Sequence, residues 1–567
     1  MVRVYEFDRR NGTVWSVDMA MVNGTLYSHA RVANPTKVDL QGYWWTCVAH
    51  SVTPQTRVLS PSSRVAHTAS AGGMTSADWP HSATVVQNVS FDGLEGDWKH
   101  DNSFLGNLMD GDFFLRIRKD DPQQTLTGPW IASVSEEGFT VLHGHPLNGT
   151  KFFTWGQNGP GRFMQDFLAG GEAAVAEGRS GDYAELQVGP APTQMQNFAM
   201  PAGKVLQWTE WFRAVDATAD PARRKKLRGD HAAAVEAVGE WYHREAGGRG
   251  GGAGAAAREA SWVDGVFESL AEVMPATSDI VWRGSPWGAL EEARLGKRHA
   301  PGLAFELPAE GERGHAEVRP WLALLKQGTF DDESLASTPV SYQTTDAWLA
   351  LLKASAAKNT TWLHAFHLGV NYAERGNTAK AVAQLNASMS MRPTAHAARC
   401  LAALTADFDN AREAYLSAWD LALAEKESAG NRTRAALASE VAFLLGATAT
   451  FDVEVAEMWL GTLSGAPKGE VDALLGLDAV LELGIKVHLA RGEWDDATAA
   501  LSSQCFPTYG DARRELQRLW YQAVEGKAAA SKGGELTPLE AHRVRRANPN
   551  PRNIGCAYAS NYCTEYW

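Results

Sequence analysis

At 567 residues the chain exceeds one ordinary core and holds about three or four domains' worth of material. Its formal charge of −13 and pI near 5.7 exclude a nucleic-acid binder, which needs a concentrated basic surface. With 44% apolar and 21% charged residues it reads as globular, and no apolar run reaches the ~18 residues of a membrane span.

The five cysteines, Cys47, Cys400, Cys505, Cys556 and Cys563, are too scattered for a disulfide framework or a zinc site, so neither metal nor cofactor is expected. Seven N-x-S/T sequons begin at Asn11, Asn23, Asn88, Asn148, Asn359, Asn386 and Asn431, and matter only in a secreted chain. No signal peptide is recognised, which favours the cytoplasm without fixing the compartment. Three of the sequons contain Asn-Gly, a favoured hairpin turn.

In chain order, VWSVDMAMVNGTLYSHARV predicts two strands around Asn23-Gly24, and VDLQGYWWTCVAHSV predicts one more. FFLRIRK alternates Phe113, Leu115 and Ile117 with Phe114, Arg116 and Arg118. Short strands separated by Gly, Asn, Asp and Pro point to an antiparallel sandwich. In YAELQVG, Tyr183, Glu185 and Gln187 share one strand face and Ala184, Leu186 and Val188 the other, so a carboxylate lies between two hydrogen-bonding groups. The ordinary explanation of this pattern, and the one periodicity alone favours, is the solvated outer face of a sandwich.

After Arg213 the sequence turns helical. The basic run Arg223 to Arg228 reads as a solvated helix face, Ala232 to Tyr242 as helix, and Ala246 to Glu259 as a flexible Gly/Ala linker. Trp262, Val266, Leu270 and Val273 then repeat at helical spacing. WLHAFHLGVNYAERGNTAKAVAQLNASMSMRP places Leu368, Gly369 and Tyr372 on one helix, Gly376 in a turn, Ala381 and Leu385 on a second helix, and Pro393 at the end. This spacing resembles the tetratricopeptide repeat. Ala411, Tyr415 and Ala418, and then Gly492, Ala497 and Leu501, mark two more degenerate units. Such repeats form a protein-binding surface or an intramolecular scaffold. The polar, aromatic tail is expected to pack on the body.

Residues Val4 to Val215 resemble the galactose-mutarotase-like domain, in the version of unknown function fused to tetratricopeptide repeats. The resemblance is carried by NPTKVDLQGYWWT, WKHDNSFLGNL, FFTWGQNGPGRFMQDFLAG and, most specifically, AELQVGPAPTQ with PAGKVLQWTEWFR. It implies a multidomain β-then-α chain: an antiparallel β-supersandwich over 1–216, N-terminally incomplete because the family carries strands ahead of this segment; a helix and linker over 217–260; a tetratricopeptide-like α-helical solenoid over 261–530; and the tail over 531–567.

The resemblance implies a sugar cleft in which Glu185 is the general base at an anomeric hydroxyl. Where the family has histidines, this chain reads Asn102 in one segment and Gly42-Tyr43 in the other. Three readings follow. Another acid acts, from His100, Asp101, His143 and His145; or a second carboxylate, Glu95, Asp97 or Asp166, pairs with Glu185 across roughly 5 to 10 Å for glycoside cleavage; or the cleft only binds.

The selected catalytic set is Glu185, Asp101 and His145. Trp98, Asn102, His143, Trp155, Arg162 and Gln187 are the substrate-binding set. His143 and His145 form an HxH pair that suits structural histidines better than metal ligands. Tryptophans are more often core filling, and Trp98 and Trp155 are the best placed of them for stacking on a pyranose; Arg162 suits contact with a hydroxyl or carboxylate and equally a solvated turn. The expected function is carbohydrate binding, with aldose epimerase or glycoside hydrolase activity as its catalytic form. The alternative is a protein-interaction scaffold with an inactive sandwich. Expected partners are a carbohydrate ligand and a protein bound through the repeats, with no nucleic acid or membrane.

Overall fold

The computed structural model describes residues 1–62, 64–68, 75–80, 101–116, 130–135, 138–145, 149–157, 181–191, 193–246, 265–425, 429–447, 450–467, 469–504 and 514–551, with isolated positions between them. They form two compact units, Met1–Leu307 and Pro308–Trp567.

The first unit carries β1 (Val2–Asp8), β2 (Thr13–Val22), β3 (Thr25–Ala33), β4 (Leu40–Gly42), β5 (Thr46–Val52), β6 (Arg57–Leu59), β7 (Arg64–Thr68) and β8 (Thr75–Asp78). These are followed by β9 (Met109–Arg116), β10 (Trp130–Val134), β11 (Gly138–His145), β12 (Gly149–Gly156), β13 (Asp182–Gly189), β14 (Phe198–Met200) and β15 (Val205–Asp216). A seven-stranded sheet runs β1-β2-β3-β15-β11-β10-β6, and a six-stranded sheet runs β5-β13-β12-β9-β7-β8. The described strand pairs are antiparallel.

The two sheets face each other across one core. Ala184, Leu186 and Val188 of β13, Phe152 of β12, and Phe113 and Leu115 of β9 meet Ala30, Val32, Trp208, Leu142 and Ile131 of the other sheet. Phe113 stacks on Phe152 with ring centroids 4.7 Å apart. The Asn23-Gly24 turn forms as expected: Val22 pairs with Thr25, and both turn residues have positive φ, 48° and 76°.

Two strand expectations change. The stretch VDLQGYWWTCVAHSV breaks at Tyr43–Trp45 into β4, which pairs only with β14, and β5, on the edge of the six-stranded sheet. The hairpin expected at Asn148-Gly149 does not join β11 to β12, which belong to different sheets, and Asn148 itself lies outside the described residues.

The seven-stranded sheet is covered on its second face as well. The helix Pro221–Leu227 begins with Asp220 capping the Arg223 amide, and the helix His231–Ala246 follows it. They bury Leu227, Ala234, Val238, Trp241 and Tyr242 against Trp130, Ala132, Phe139 and Val141. Each large side chain buried here is worth about 1.5–3 kcal/mol. Near β1, Tyr5 packs edge-on to Phe305 at 5.1 Å and Phe7 stacks on His299 at 5.3 Å. Arg3 pairs with Asp18 and donates to the carbonyls of Leu270 and Gly302. The expected helical run of Trp262 to Val273 is helical over 265–271, while Val273 lies past its end and is exposed, and Trp262 is outside the described residues.

The second unit is helical throughout its described secondary structure. Its clearest pair is Trp362–Glu374 and Thr378–Met391. Thr361 and His364 form a capping box on the first helix, Gly376 turns the chain with φ +69°, and Asn377 caps the second helix. Gly369 is required by close approach, since a Cβ there would stand 2.7 Å from Leu385 Cγ. The second expected unit is the pair Ala395–Leu404 and Phe408–Ala424, and the third is Asp478–Arg491 and Trp494–Ser503, joined at Gly492 with φ +75°.

A continuous core joins Ala418, Trp419, Leu437, Val441, Trp459 and Leu483. In the tail, the helix Pro538–Ala547 folds onto Arg514–Lys532: Trp520 donates to the Asn548 carbonyl at 3.1 Å, and Arg545 lies over Tyr521. Residues 552–567 lie outside the described set. Among the described residues no helix is long and apolar enough to cross a membrane.

Candidate functional site

One face of the six-stranded sheet forms the sandwich core, so its other face carries the alternate residues. Strand register arranges these in rows. Phe114, Lys151, Gln187 and Cys47 lie opposite one another on β9, β12, β13 and β5, and Asp112, Phe153, Glu185 and Ala49 form the next row. Trp155 and Tyr183 follow on β12 and β13. The outward face of β13 therefore carries the predicted Tyr183, Glu185 and Gln187, while Ala184, Leu186 and Val188 are fully buried on the inward face.

Glu185 accepts hydrogen bonds from the Tyr183 hydroxyl and, at 2.5 Å, from the Gln187 amide. Partial burial, and secondarily the Glu185 carboxylate, push the Cys47 thiol up to about 11. Beside them Lys151, 2% exposed, donates to Asp112 at 2.9 Å and to Gln194. Its ammonium lies 5.2 Å from the Trp45 ring centroid and 5.5 Å from that of Phe114. Trp45 can sit there because β13 ends in Gly189, where a Cβ would come within 2.9 Å of the Trp45 ring. Tyr43, which stands where the resemblance expects a histidine, reaches the same cluster, and burial and then Asp112 raise its phenol. Phe153 and Trp155 meet edge to face at 4.9 Å and are half-buried.

Of the residues selected from sequence, Glu185, Gln187 and Trp155 come together on this face. Asp101 is placed differently. It is buried, paired at 2.8 Å with Arg57 of β6, and accepts from the Ser103 amide at 2.9 Å and hydroxyl at 2.6 Å. Arg57 in turn donates to the carbonyls of Leu227 and Gly229, tying this segment to the helical layer. Asn102 is fully buried, and its backbone N–H donates to the Pro80 carbonyl at 3.1 Å. His143 and His145 lie on β11 of the seven-stranded sheet. Trp98, Arg162, His100, Glu95, Asp97 and Asp166 lie outside the described residues.

Sequence reasoning missed Asp112, Lys151, Phe153, Cys47 and Gln194. For Lys151 and Phe153 the signal was available: GTKFFTWG alternates Lys151, Phe153 and Trp155 against Thr150, Phe152 and Thr154, just as YAELQVG does.

Beneath the face, Glu210 of β15 bridges the two sheets. It is 1% exposed and accepts from the Thr46 hydroxyl at 2.9 Å and the Trp208 indole at 2.8 Å. Its Oε2 has no hydrogen-bond partner among the described residues, and burial pushes the carboxyl up to about 7.

No protein-family model matches the chain, and no curated protein matches it. The chain is similar to solved structures of two kinds. A TPR-domain containing protein from Parabacteroides distasonis is 17% identical with TM-score 0.49, over 98% of this chain and 74% of that one. A putative aldose 1-epimerase from Escherichia coli is 11% identical with TM-score 0.23, over 38% of this chain and 64% of that one. A second putative aldose 1-epimerase, from Klebsiella pneumoniae, is 9% identical with TM-score 0.24, over 40% of this chain and 54% of that one. The chain thus spans less than two thirds of either epimerase. The assignment as an antiparallel sandwich followed by helical hairpins rests on the strand pairing and helix packing described above.

Proposed function

We propose that the outer face of the six-stranded sheet, around Glu185, binds carbohydrate. The observation that carries this reading is the row Asp112, Phe153, Glu185, in which an aromatic ring is flanked by hydrogen-bonding carboxylates on a sheet face opposite the core. A pyranose needs both features, an apolar ring for its C–H face and polar groups for its hydroxyls. Gln187 and Tyr183 orient the Glu185 carboxylate, and Trp155 extends the floor.

Among the described residues, the proton donors beside Glu185 favour binding over turnover. Ring opening or glycoside cleavage needs an acid poised near neutrality beside the base. Beside Glu185 stand a phenol, an amide and a thiol pushed up to about 11, while Asp101 is engaged with Arg57. The test is a glycan array probed with the full chain and with Glu185→Ala. Glycans retained by the parent and lost by the variant are expected; a folded parent that retains none would overturn the reading.

A further inference from the structure

We infer that the sugar taken by this face carries a protonated amine, with its ammonium seated between Glu185 and the Phe153 ring. This rests on the carbohydrate reading above and narrows it to a ligand class. Asp112 and Glu185 stand directly opposite Phe153 on its two neighbouring strands, so their backbones are about 10 Å apart, twice the ~4.8 Å strand spacing. An aromatic face between two carboxylates suits an organic ammonium, which gains from the ring's negative face and from charge-assisted hydrogen bonds.

The adjoining row shows the protein using the same chemistry on itself. There the Lys151 ammonium is held at 2.9 Å by Asp112 and lies over Trp45 and Phe114. For Glu185 the described residues supply no such cation: Tyr183 and Gln187 donate to it as neutral groups. With the Cys47 thiol also hydrogen-bonded to it, Glu185 has three neutral donors, and a carboxylate's roughly four lone-pair positions leave room for one ammonium N–H.

The experiment is calorimetric titration of the full chain with a glucosamine oligomer, its N-acetylated twin and a uronic-acid oligomer, at a pH where the amine is protonated. The amine-bearing oligomer is expected to bind at least tenfold more tightly than its twin. Glu185→Gln, which keeps the shape and removes the charge, is expected to erase that preference, and Phe153→Leu to weaken both ligands. Equal affinity for the twins, or a preference for the acidic oligomer, would overturn the amine assignment and leave the sugar-binding face standing. A lysine peptide that binds as tightly as the amino sugar would show that the ammonium alone is recognised, and would overturn the sugar reading together with the amino-sugar assignment. A folded protein that binds no sugar in the panel or on the array would overturn both.

Discussion

At the scale of single residues, two buried carboxyls have consequences that differ in kind. Glu210 is held near 7 in the fold against an ordinary value of 4.5, because burial penalises its charged form. Between those values the folded protein keeps a proton that the unfolded chain has lost. Its contribution is therefore fully present below about pH 4.5 and is lost as pH rises through about 7, a change on the order of 3 kcal/mol. Glu210→Gln is expected to remove that component, which urea denaturation at pH 5 and pH 8 measures; an unchanged pH slope would contradict it.

Asp101 is buried for a different reason, as the counter-charge of Arg57, which is 2% exposed. Asp101→Ala removes the carboxylate hydrogen-bonded to that buried cation, and is expected to destabilise the protein by about 3–5 kcal/mol, read from the denaturation midpoint. In the helical unit, burial lowers His367 to about 3, and its Nδ1 has no partner among Trp321, Phe330 and Phe366. Its contribution is present above about pH 6.5 and is lost as pH falls toward 3. His367→Phe is expected to flatten acid unfolding, followed by circular dichroism between pH 7 and 4.

At the scale of elements, what could be read from the sequence was whatever local periodicity controls. β13 and β9 sorted their inward residues correctly, and Gly376 and Gly492 marked helix turns, because alternation and positive φ leave direct traces in composition. Gly369 was singled out on repeat spacing, and its role is steric: Leu385 is fully buried and has little room to yield. Gly369→Ala is expected to cost about 1–3 kcal/mol, checked by the thermal midpoint of the helical unit.

What could not be read was which strands are neighbours. Asn148-Gly149 looked like any other hairpin turn, although β11 and β12 join different sheets. Asp112 and Lys151 lie 39 positions apart in the chain and meet only through the β9–β12 register. Sequence likewise grouped Asp101 with Glu185, where the structure gives it Arg57 and Ser103 as partners.

At the scale of the molecule, the first unit divides its surfaces by use. One sheet is covered on one side by the other sheet and on the second side by helices, whereas the six-stranded sheet turns a polar and aromatic face away from the core. The second unit is built of stacked helix pairs whose apolar contacts form their own core. The account's central claim is that the Glu185 face binds sugar. It is tested most directly by titrating the full chain and Glu185→Ala, calorimetrically, with the glycan best retained on the array. At least a tenfold loss of affinity, with an unchanged thermal midpoint, is the expected result. Sugar bound with equal affinity by the parent and by a folded variant would contradict the claim.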